Sequence, residues 1–127
     1  MVVNHSHKRD YSALFEVTLG MAFEQFNNSA TQRRFVERIA QVFQDPSTSN
    51  ILIRSIRHVH HSGNTLVTFY NTTLYRTGNR CPDQEIEVLR NVLLLQDSNI
   101  RDSVKEIIGS EYDIKRINLV PVVIIKI

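Results

Sequence analysis

The chain has one cysteine in 127 residues, so no internal disulfide can hold it together. A domain of this length buries one hydrophobic core without disulfides or metal, and the 42% hydrophobic content fits that. Net charge is also small. Fifteen basic residues face thirteen acidic ones for a net +2, with no basic stripe, which argues against a nucleic-acid partner. The longest apolar run, residues 118–127, is broken by Pro121 and Lys126 and is shorter than the roughly 18 residues of a membrane-spanning helix. Residues 1–10 are polar and lack the apolar segment of a secretory signal, so they are expected to be a flexible lead-in to one domain over 11–127. There is no Gly-rich phosphate loop, paired-cysteine metal motif or signature of an activated nucleophile with its base. No catalytic residue, no cofactor and no enzymatic activity are therefore expected.

What is present is hydrophobic periodicity. Tyr11, Ala13, Phe15, Val17 and Leu19 alternate with Ser12, Glu16 and Thr18, Leu14 being the exception, which predicts a strand with one buried face. Residues 20–29 have no steady period, and Asn27-Asn28-Ser29 suits a turn that starts a helix. Phe35, Val36, Ile39, Ala40, Val42 and Phe43 recur at helical steps within Thr31 to Gln44, and Asp45-Pro46 stops that helix. Ile51 to His60 and Leu66 to Tyr70 flank Ser62-Gly63-Asn64 as a β-hairpin. The first arm alternates imperfectly. Ile51, Ile53 and Val59 share one parity and Leu52 and Ile56 the other, which predicts a bulge or a partly covered second face.

Pro82 opens a helix with Asp83 and Glu85 in its first turn, Asp97-Ser98-Asn99 interrupts it, and a further short helix ends at Gly109. Residues 114–127 form the last strand, where Pro121 argues for an edge position. The order predicts an α+β fold, a ferredoxin-like βαββαβ sandwich: an antiparallel sheet in strand order 4-1-3-2 with helices on one face.

Three groups of residues are candidates for chemistry. His58, His60 and His61 could ligate a metal, but with no acidic or cysteine partner nearby in sequence a solvated hairpin tip is expected, and no metal. Asn4, Asn27 and Asn71 each begin an Asn-x-Ser/Thr sequon, a number that ten Asn and eighteen Ser/Thr approach by chance, at about 1.4. The strand Leu66 to Tyr70 lacks the basic residue and glycines of an RNA-reading strand.

The segment from Leu66 through Asn71-Thr72-Thr73-Leu74, followed by Arg80-Cys81-Pro82-Asp83-Gln84-Glu85-Ile86, resembles the juxtamembrane region of the dystroglycan family. There a hydrophobic strand runs into an Asn-x-Thr sequon and then a Cys-Pro helix start. The resemblance implies a SEA-like domain with the βαββαβ fold, in an extracellular matrix receptor held in the plasma membrane by an anchor elsewhere in the parent protein. It implies no nucleic-acid partner, contacts with other regions of the same receptor, and matrix contacts through the parent. It marks Asn71 as the favoured N-glycosylation site over Asn27 and Asn4, and Cys81 as one half of a disulfide whose partner lies beyond residue 127.

Many members of that family are cut within the hairpin at a Gly-Ser bond, where the serine hydroxyl attacks the preceding carbonyl under strain from folding and the resulting ester is hydrolysed. The resemblance places Gly63-Asn64 at this bond. Asn64 carries a carboxamide and cannot form the ester, so a degenerate cleavage site and an uncut domain are expected. Asn64→Ser is expected to restore some cleavage if the turn keeps its strain. A shift of one residue would bring in Ser62 or Thr65, which keeps an autoproteolytic SEA domain as an alternative. A ferredoxin-like intracellular binding module is a third reading.

Overall fold

In a computed structural model the fold is described for residues 9–71 and 82–125. The elements follow the expected order: β1 (Arg9–Leu19), α1 (Phe23–Phe26), α2 (Ser29–Val42), β2 (Ile51–His58), β3 (Thr65–Asn71), α3 (Pro82–Leu93), α4 (Asp102–Ile108) and β4 (Ile114–Ile125). The four strands form one antiparallel sheet in the order β2-β3-β1-β4, the expected order read from the other edge. The architecture is α+β, a ferredoxin-like sandwich.

β1 is central because alternation gives it a continuous apolar face. Ala13, Phe15, Val17 and Leu19 are all buried, beside Val67 and Phe69 of β3 and Ile117 and Leu119 of β4. Phe15 lies opposite Phe69 on one side and Leu119 on the other. The Phe15 and Phe69 rings stack with centroids 4.9 Å apart. Phe35 of α2 meets Phe69 edge-on at 6.1 Å and tilts against Tyr112 at 5.5 Å, which docks the helix layer onto the sheet.

Asn28 caps α2. Its side chain accepts from the backbone N–H of Ala30 at 2.9 Å and of Thr31 at 3.2 Å, so the helix begins two residues before the expected Thr31. It also ends earlier, at Val42, and Gln44 adopts a positive φ of 55° before Pro46. The single-turn helix α1 was not legible in the sequence, because four residues are too few to show a period. Gly109 closes α4 as expected, at a φ of 102°.

β2 carries the bulge. Ile53 faces Phe69 but Ser55 faces Thr68, so Arg54 is the extra residue. The slip reverses parity, which corrects the expected faces: Ile56 opposes buried Val67 and packs against the core with Ile53, whereas Leu52 stays half exposed. β4 is an edge strand, and Pro121 sits opposite Ala13 within it. β1 begins at Arg9, paired with Ile125, two residues ahead of the expected Tyr11.

Candidate functional site

The hairpin between β2 and β3 is built from backbone hydrogen bonds around one glycine. The Val59 N–H donates to the Asn64 carbonyl at 2.8 Å, and the Gly63 N–H returns a bond to the Val59 carbonyl at 3.0 Å. Ser62 N–H donates to the same carbonyl at 3.4 Å. Gly63 has a φ of 74°, and no atom lies within 4 Å of where a Cβ would stand. Glycine enters this left-handed region at little cost, so the residue before Asn64 holds no steric strain.

The Gly63-Asn64 bond precedes the first residue of β3. Thr65 is fully buried opposite Leu19, and its hydroxyl donates to the Met21 carbonyl at 2.7 Å. Ser62 is exposed, and its Oγ accepts from the Asn64 N–H at 3.3 Å. An attack on a preceding carbonyl needs a hydroxyl that is present, deprotonatable and unconstrained. Asn64 has none, and that of Thr65 is spent on a carbonyl in a different loop. Ser62 retains an accessible hydroxyl, one residue away from the bond in question. The role of Thr65 was readable in part: in β3 it shares parity with Val67 and Phe69, which places it on the core face. Its partner Met21 was not readable, because that contact depends on how the chain turns after β1.

His58 and His60 meet with ring centroids 5.3 Å apart, and His58 also approaches Phe23 at 6.4 Å. Both are exposed, as is His61 in the turn. Among the described residues no group of three or more His, Cys, Asp or Glu is placed to hold a metal ion.

The sequons separate by burial. Asn71 ends β3 between Ile51 and Ala13 with its side chain fully buried. A glycan on that carboxamide would have to pass through the packing around it, which counts against the preference for Asn71. Asn27 is exposed at the end of α1, two residues before Ser29 opens α2. Asn4 and Cys81 lie outside the described residues.

Among the described residues no helix is long and apolar enough to cross a membrane. No curated protein is significantly similar to the chain. The family model DAG1, dystroglycan domain 4, matches residues 13–126, from the buried face of β1 to the end of β4, and the chain therefore belongs to the dystroglycan domain 4 family.

Proposed function

We propose that the chain is an extracellular, juxtamembrane structural domain of a dystroglycan-like adhesion receptor. It links the matrix-binding part of the receptor to its membrane anchor, does no catalysis, and stays in one piece. Family membership supports the setting. The observation that carries the uncut state is the hydroxyl inventory around the Gly63-Asn64 bond: a carboxamide at Asn64 and a buried, bonded hydroxyl at Thr65. Glycosylation at Asn27 and a disulfide from Cys81 to a cysteine beyond residue 127 belong to the same reading.

The test is electrophoresis under denaturing conditions. The expected result is one species at 14.7 kDa; two fragments with a new N-terminus in the hairpin would overturn it. Exposed Ser62 favours the second reading, a SEA domain that cuts itself beside His61. N-terminal sequencing of any fragment separates that cut from one at Asn64. Secretion with a glycan on Asn27 dismisses an intracellular binding module.

A further inference from the structure

A cavity of about 610 Å³ lies between residues 115–119 of β4, the end of α3 and the turn that leads to α4. Among the described strands β4 pairs with β1 alone, and residues 115–119 of β4 border this space. Four cations border it: Arg90 in the last turn of α3, Lys105 in α4, and Lys115 and Arg116 in β4. The one acid among its described lining residues, Asp97, is already engaged. Its carboxylate accepts from the Asn99 backbone N–H at 3.1 Å and from Asn99 Nδ2 at 2.8 Å. Lys115 reaches Asp113 at 3.1 Å, an exposed pair that is weak in water. Among the described residues Arg90, Lys105 and Arg116 form no ion pair.

A bulge helps to gather these charges. Thr18 faces Arg116 and Leu19 faces Ile114, so Lys115 is the extra residue of β4. That break in alternation lets two cations adjacent in sequence border one cavity. Like charges around a concave space repel one another when it is empty and focus a positive potential into it, which favours an anionic occupant. Arginine adds a planar fork suited to oxyanions. Asn118 also borders the space; its Nδ2 donates to Glu16 at 3.0 Å, which leaves Oδ1 to accept from a hydroxyl. Among the described residues no aromatic ring borders the cavity, so it offers nothing to stack a nucleobase.

We propose that this cavity binds the sulfate esters of an acidic polysaccharide, with Arg90, Lys105 and Arg116 on the sulfate oxygens and Asn118 on a sugar hydroxyl. The demand for an oxyanion comes from the charges alone. The choice of a sulfated matrix polysaccharide rests on the extracellular reading, and the two fail separately, because secretion and glycan mass test location while binding is measured on purified protein.

The experiment is calorimetric titration of the purified chain with a heparin-derived hexasaccharide, and in parallel with sodium sulfate. Saturable binding to the hexasaccharide is expected, weakening as salt rises. The double variant R90Q/R116Q is expected to lose about tenfold in affinity, while R33Q/R57Q, with the same change of charge on exposed positions elsewhere, loses less than about threefold. Melting curves check that each variant is folded; if R90Q/R116Q is not, Lys105→Gln, at an exposed position of α4, carries the comparison. Absence of binding overturns the proposal. So do equal losses in the two double variants, which would mean attraction by overall charge, and inorganic sulfate binding as tightly as the hexasaccharide, which would mean a site for a small ion only.

Discussion

Thr65 closes the hairpin from the inside, since its hydroxyl is both buried and bonded to the Met21 carbonyl. Thr65→Val keeps the shape but leaves that carbonyl without this donor, at an expected cost of about 1–3 kcal/mol in urea unfolding. Asn64→Ser supplies the missing hydroxyl but not strain, because Gly63 sits in a region open to glycine. The variant is therefore expected to stay intact by mass after days at neutral pH, and accumulating fragments would show that the turn stores strain after all. At Tyr112 burial raises the phenol pKa above its ordinary value of 10.0, with Arg34 and Arg38 pulling it back. The unfolded chain then releases this proton before the folded one does. The contribution is thus fully present below the unfolded pKa and is lost as pH climbs from there through the raised folded value. Stability in urea is expected to decline above about pH 10, and Tyr112→Phe removes the part of that slope due to Tyr112. At neutral pH the same change costs about 1 kcal/mol, for the 2.8 Å bond from its hydroxyl to the Thr31 carbonyl.

At the scale of elements, β2 is where parity counted along the chain misleads. The extra residue Arg54 places Ile56 opposite Val67 on the core side and leaves Leu52 at 51% exposure. Ile56→Ala is accordingly expected to cost about 1–2 kcal/mol and Leu52→Ala less than about 0.5, a contrast that equilibrium unfolding resolves. The bulge itself was foreseeable, because alternation fails within Ile51 to Ile56. Which residue is extra was not, since only the register against β3 defines it. α2 shows the reverse case: Asn27-Asn28-Ser29 reads in sequence as a helix entry, and the two bonds that Asn28 accepts explain why the helix starts at Ser29 and not at the expected Thr31.

For the whole molecule, the consequential fact is that the hairpin joins two interlocked halves. β1 lies between β3 and β4 and β3 between β2 and β1, so the segment before the hairpin supplies β1 and β2 and the segment after it β3 and β4, and the strands of the two halves alternate across the sheet. Breaking the chain at the hairpin removes no strand pairing and no part of the Phe15, Phe35 and Phe69 cluster. If a protease site is placed in residues 60–64 and cut, the halves are expected to elute as one species from a sizing column and to separate only in denaturant. Fragments that part in native buffer would mean that the sheet does not hold them.

The sequence by itself determined the element order, the antiparallel sheet and the edge position of β4. Apolar spacing records which side of each element avoids water, and Pro121, Gly109 and Asn27-Asn28-Ser29 are local signals of an edge, a helix end and a helix entry. It also determined that Asn64 lacks a hydroxyl. Only the tertiary structure decided that Asn71 is buried while Asn27 is exposed, that Thr65 bonds to Met21, that Ile56 faces inward, and that Arg90, Lys105, Lys115 and Arg116 border one cavity. These are properties of segments distant in the chain. A polar group's partner or a cation's neighbours depend on register and on the packing of helices over strands, and no spacing within a single element encodes them.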